Sequence, residues 1–162
     1  VWEVGAGPGQ IGAFVSAMGI RIHGTDLCFG PLVSGRRLCA EMPRVQSDML
    51  ALPARDASLA GVLAFYAICH LGSDELPRAL REMHRVLMPG GTALITFHIG
   101  EECRHFDEFL GHPADLDFQF FEVAPVVAAL RTAGFAAVEP IERDPYPDAE
   151  AATRRAYLFA RK

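Results

Sequence analysis

Three glycines fall at alternate positions near the start of the chain, Gly5, Gly7 and Gly9, and a carboxylate, Glu3, stands two residues before the first. Glycine has no Cβ and tolerates positive φ, so a turn built this way lets a ligand lie against the backbone. A helix starting behind the turn adds unpaired N–H groups that attract a negative group. Farther on stand Asp26, 21 residues after Gly5, and Asp48, followed by the thioether of Met49. Carboxylates at the ends of strands accept hydrogen bonds from hydroxyl and amino groups. Phe65, Tyr66 and His70 follow a long apolar run, and His98 closes another. An imidazole in such a place suits proton transfer.

Two ligand classes fit this opening. A dinucleotide site needs G-x-G-x-x-G with an acid about 20 residues on. Counted from Gly5 the spacing is G-x-G-x-G, and Gln10 stands where the third glycine should fall. Glu3 offers nothing to a pyrophosphate but suits the ammonium of an amino-acid tail. Glu3-Val4-Gly5-Ala6-Gly7-Pro8-Gly9 resembles the first motif of class I S-adenosylmethionine-dependent methyltransferases: an acid, any residue, then G-x-G-x-G. The resemblance implies that Glu3 holds the amino group of the methionine moiety directly or through water, with Gly5, Ala6, Gly7 and Gly9 against it. It places the ribose hydroxyls on Asp26, beside Leu27. It gives the adenine amino group to Asp48 and packs Met49 on the ring. The loop Leu50–Ser58, with the look of L-P-x-x-D-x-S, and the turn Met88-Pro89-Gly90-Gly91 resemble the family as well.

The elements that position these groups are read from hydrophobic period. Val1–Val4 is a strand. Ile11, Phe14, Val15 and Met18 share one helical face, and Gly19 follows as a cap. Arg21–Leu27 and Arg44–Met49 are strands, with a short helix between them from Pro31 to Ala40. Gly61–Ala67 is a central strand buried on both faces. Ligands of open α/β sheets sit beyond such strand ends, so Phe65, Tyr66 and His70 face cofactor and substrate together. Ser73 or Asp74 caps a helix whose apolar face is Leu76, Ala79, Leu80, Met83 and Leu87, with Pro77 in its first turn. Thr92–His98 is a fifth strand and Glu122–Ala133 a last helix. Ala136–Arg143 and Arg154–Arg161 form an antiparallel hairpin. The fold class expected is α/β, the three-layer Rossmann-like methyltransferase sandwich. Its mostly parallel seven-stranded sheet has the order 3-2-1-4-5-7-6 and ends in the hairpin. A dinucleotide fold would end on another parallel crossover.

Ile99–Phe121 shows no clean period. Acids and histidines mix there with Phe106, Phe109, Phe118, Phe120 and Phe121. A long irregular segment after the fifth strand reads as a substrate lid over the cofactor edge. His98, His105 and His112 are spaced by seven, but Gly100 and Gly111-His112-Pro113 break any helix that would align them, and no metal is expected.

The chain of 162 residues reads as a single domain, 1–162. No stretch reaches roughly 18 uninterrupted apolar residues, so no membrane partner is expected. The net charge of −5 and the lack of a Lys/Arg run argue against nucleic acid. Cys28, Cys39, Cys69 and Cys103 show no zinc spacing and suit free thiols in the cytoplasm. The first residue already lies in a strand, and the resemblance implies a helical segment before it, so a truncated N-terminus is expected. The activity implied is in-line transfer of the sulfonium methyl to a small-molecule acceptor, leaving S-adenosyl-L-homocysteine. Positioning does most of the work. His70 is the first candidate for a base, then His98 or His105, with Tyr66 beside them. The Asn-Pro signature of amino-nitrogen methylation is absent after the fourth strand, where Phe65-Tyr66-Ala67-Ile68 stands. A cofactor-binding module without catalysis and a nicotinamide-dependent oxidoreductase are the alternatives. A monomer or homodimer is expected.

Overall fold

Apolar runs bounded by glycine and proline fold here into alternating strands and helices. The computed structural model describes residues 1–72, 74–109 and 111–162. Its elements are β1 (Trp2–Val4), α1 (Gln10–Ala17), β2 (His23–Asp26), α2 (Phe29–Ser34), β3 (Arg44–Gln46), β4 (Leu59–Phe65), α3 (Leu76–Val86), β5 (Leu87–His98), β6 (Cys103–Phe109), β7 (His112–Gln119), α4 (Val123–Thr132), β8 (Ala137–Arg143) and β9 (Arg155–Arg161). Single 3-10 turns stand at Gly35–Arg37 and Ile68–His70.

The main sheet has the order β3-β2-β1-β4-β5-β9-β8. The first five strands are parallel; β9 runs antiparallel to both β5 and β8. With β6 and β7 outside the sheet, this is the order 3-2-1-4-5-7-6 expected from the sequence. One face carries Val4, Val62, Ala64, Ala93, Ile95, Phe97 and Leu158 against Leu80, Met83 and Val86 of α3 and Val126 and Leu130 of α4, all essentially inaccessible to water. Burial of each large side chain in this layer contributes about 1.5–3 kcal/mol. Among the described residues no helix is long and apolar enough to cross a membrane.

Several local expectations are corrected. The second helix does not reach Ala40. It ends at Ser34 and tightens into a 3-10 turn at Gly35–Arg37, where Gly35 lies so close to the Pro8 carbonyl that a side chain would overlap it. Asp74 does not cap α3. Glu75 holds that position, and its Oε2 accepts the Gly72 N–H at 2.9 Å. Ser73 lies outside the described residues. Leu87 opens β5 rather than closing α3, and the Pro-Gly-Gly stretch is absorbed as an irregularity in the strand opposite Leu59–Gly61. Phe14 and Met18 of α1 do not face inward: they are 66% and 62% exposed, and the helix packs through Gly12. The segment after the fifth strand is not irregular. β6 and β7 pair as an antiparallel ribbon, with Phe106 opposite Leu116 and His105 opposite Asp117. Leu116, Phe118 and Phe120 alternate with Asp115, Asp117 and Gln119, a period of two that gives the ribbon an apolar face.

Candidate active site

The loop after β1 turns on three left-handed glycines, Gly5 (φ 69°), Gly7 (φ 53°) and Gly9 (φ 86°). A side chain at Gly5 would overlap the Cβ of Ala67, so the loop lies directly against the end of β4. A side chain at Gly7 would meet open space, because Gly7 borders a cavity of about 630 Å³. Asp26, at the end of β2, fixes the loop: Oδ2 accepts the Gly7 N–H at 2.7 Å and Oδ1 accepts the Cys28 N–H at 2.8 Å. Each oxygen keeps a second lone pair for a ligand hydroxyl.

The loop between β3 and β4 forms the next wall. Asp48 Oδ1 accepts the Leu50 N–H at 2.8 Å. Arg85 and Glu82 of α3 hold the loop behind it, through Leu52, Ala54 and Asp56. Gly5, Gly7, Asp26, Leu27, Asp48, Met49, Tyr66 and His70 therefore line one cavity, with Glu75 and with Asp115–Asp117 of β7 on its far side. The described lining includes five carboxylates, Asp26, Asp48, Glu75, Asp115 and Asp117, and no Lys or Arg.

Glu3, Ala6, Gly9, Phe65 and His98 are not on that wall. Glu3 is 2% exposed and sealed beneath α1, with its carboxylate beside Gly12. Its Oε2 has no hydrogen-bond partner, and burial raises its pKa to about 7, against the opposing pull of the Gly12 backbone and of Arg44. A side chain at Gly12 would overlap Met42 Sδ and stand 2.8 Å from Glu3 Oε2. Gly12 is the residue the sequence reading missed, and the signal was present. Counted from Gly7, Gly7-x-Gly9-x-x-Gly12 has the dinucleotide spacing, its third glycine serving close packing of helix on strand. Gln10 thus does not separate the two ligand classes; the antiparallel β8–β9 end of the sheet does.

The rings of Phe65 and Tyr66 meet edge-on at 5.7 Å, and of the two it is Tyr66 that lines the cavity. Phe65 packs edge-on against Tyr157 at 6.2 Å. Tyr66 leaves the strand at φ 50°, a strained conformation for a bulky residue, with its N–H held by Thr96 Oγ1 at 3.0 Å. Its hydroxyl lies 3.4 Å from that of Tyr157, which accepts a hydrogen bond from Arg143 Nη2 at 2.8 Å. Burial and the Tyr157 hydroxyl push the Tyr66 pKa up.

His98 lies one layer behind, stacked on Tyr66 at 4.8 Å and on Phe120 at 5.3 Å, with Nδ1 2.7 Å from Thr153 Oγ1. Burial, Arg155 and Arg104 lower its pKa, so the ring is neutral near pH 7. His105 stands half-exposed on the ribbon between Asp117 and Asp107, which raise its pKa. His70 alone of the candidate bases reaches the cavity; it is exposed there, with Phe118 of the ribbon edge-on to its ring at 4.7 Å.

A glycine loop, a ribose-type acid and a terminal hairpin define a class, and the comparisons agree with it. A methyltransferase domain family matches residues 2–95. That is more than half of the chain, and the chain belongs to this family. It is 35% identical over 78 residues to a 2-phytyl-1,4-naphtoquinone methyltransferase of Thermosynechococcus vestitus, covering 46% of this chain and 34% of that protein. It is 32% identical over 112 residues to a probable tRNA methyltransferase 9B of Homo sapiens, covering 65% of this chain and 23% of that protein. The chain thus spans about a quarter to a third of the length of these relatives. A SAM-dependent methyltransferase structure from Methanosarcina mazei superposes with a TM-score of 0.87 at 13% identity, covering 99% of this chain and 91% of that one. The cofactor that family and fold define is S-adenosyl-L-methionine. The site fits it: Gly7 leaves the space that a side chain would fill, and Asp26 offers lone pairs for two ribose hydroxyls.

Proposed function

We propose that this chain transfers the methyl group of S-adenosyl-L-methionine to a small-molecule acceptor held at the Tyr66–His70 end of the cavity. The observation that carries the reading is the convergence of Gly7, Asp26, Asp48, Met49, Tyr66 and His70 on one cavity beside the glycine loop. The cofactor supplies an electrophilic methyl on a sulfonium. Gly7 and its neighbours give it close backbone approach, Asp26 takes the ribose, and Asp48 and Met49 take the adenine. Tyr66 walls the acceptor side. His70 takes the proton that the acceptor nucleophile gives up. The β6–β7 ribbon acts as the lid, with Phe118 against His70 and Asp115–Asp117 along the rim.

The named relatives act on acceptors as different as a quinone and a tRNA, so the cavity wall has to choose. Five carboxylates and no described Lys or Arg repel a phosphodiester backbone, which protein surfaces meet with basic groups. A neutral or cationic small molecule suits the wall. The test is transfer of labelled methyl to a panel of phenols, amines and thiols by the chain and by His70→Gln. We expect the variant to bind the cofactor within about twofold of the native chain and to transfer about 10²–10⁴-fold more slowly to an acceptor that must lose a proton. Equal rates would remove His70 from the chemistry.

A further inference from the structure

Beside the mouth of the cavity lies an exposed apolar and basic segment. Leu27, Phe29, Val33 and Leu38 are exposed by 66%, 62%, 45% and 56%. They fall within twelve residues, 27–38, that contain Arg36 and Arg37 and no acid. Both arginines are exposed, and neither makes an ion pair among the described residues. In a chain of net charge −5 this local charge of +2 stands apart. Leu27 and Pro31 of the same segment line the cavity, so the patch is continuous with its mouth.

We propose that residues 27–38 form a docking surface for an anionic lipid membrane. Phe29, Val33 and Leu38, exposed by 62%, 45% and 56% and outside the cavity lining, stand proud of the surface. They suit insertion at the headgroup boundary better than the seating of a partner's side chains. Guanidinium groups pair with lipid phosphates in bidentate fashion, and their weak hydration favours the interface. The expectation of no membrane partner rested on the lack of a spanning segment; a patch that lies on a membrane needs none. The proposal stands whether or not the chain transfers a methyl group.

The experiment is co-sedimentation of the full chain with vesicles of phosphatidylcholine alone and of phosphatidylcholine mixed with phosphatidylglycerol. Phe29→Ser, the double variant Arg36→Glu/Arg37→Glu, and Phe14→Ser as a control run beside it. All four side chains are exposed, so unchanged melting will show that the variants fold. The native chain should bind the anionic vesicles, more weakly as salt rises, and should bind the neutral ones hardly at all. Each lost arginine should cost about fivefold in partitioning, so the double variant should fall at least roughly thirtyfold. Phe29→Ser should also lose binding, and Phe14→Ser should keep it. No binding to anionic vesicles overturns the proposal, as does equal binding to neutral ones, loss in Phe14→Ser with retention in Phe29→Ser, or a dimer in solution that depends on Phe29.

Discussion

Glu3→Gln should make the protein more stable at pH 8, relative to the native chain, than it does at pH 5. In the native fold Glu3 is buried beside Gly12 and its Oε2 has no hydrogen-bond partner. Burial raises its pKa from 4.5 to about 7. The folded value lies above the unfolded one, so the associated stability is fully present below about pH 4.5 and is lost as the pH rises through about 7. At about 1.4 kcal/mol per pH unit the loss is at most about 3 kcal/mol, and relaxation of the site brings the expectation to about 1–3 kcal/mol. The Gln side chain fills the same space, and its amide has no proton to lose. Other groups titrate nearby. His84 and His98 have lowered pKa values, so they add stability as pH rises toward 6.5; Glu82 and Glu150 have lowered values, so they act below about 4.5. All four are common to both proteins and cancel in the difference. The assay is urea unfolding of native and variant chains at pH 5, 6, 7 and 8. The stability difference should climb across that range and level off above about pH 7.5. A difference that stays flat would refute the placing of an ionisable Glu3 beneath α1.

Two further outcomes follow from the same loop. Gly12→Ala should destabilise the fold by about 1–3 kcal/mol in the same unfolding assay, since its methyl would overlap Met42 and crowd Glu3. Asp26→Ala should weaken S-adenosyl-L-methionine binding by about tenfold to a hundredfold in calorimetry. It removes the acceptor for the Gly7 and Cys28 N–H groups along with that for the ribose.

Sheet order and the terminal hairpin were legible because each strand is an apolar run between turn residues, and a short connection between strands forces antiparallel pairing. The cavity residues at strand ends, Asp26, Asp48 and Tyr66, were legible for the same reason: once the strands are placed, their C-terminal ends are too. What escaped depends on packing between distant parts. The apolar spacing of Ile11, Phe14, Val15 and Met18 is real, but period cannot say which side of α1 meets the sheet. Gly12 decided that by admitting Glu3 and Met42 beneath the helix. The same contact explains why Glu3, in motif position, sits below the helix and off the cavity wall. The ribbon was hidden because Gly111-His112-Pro113 interrupts an alternation that resumes at Leu116. His98 and His70 end similar apolar runs, and only the 3-10 turn at Ile68–His70 brings one of them to the cavity while Tyr66 screens the other.

Calorimetric titration of the chain with S-adenosyl-L-methionine, S-adenosyl-L-homocysteine and NADH tests the central claim most directly. Both adenosyl ligands should bind at one site with affinity lowered by Asp26→Ala, and NADH should give no heat. Binding of NADH with no response to either adenosyl ligand would contradict the assignment of this cavity.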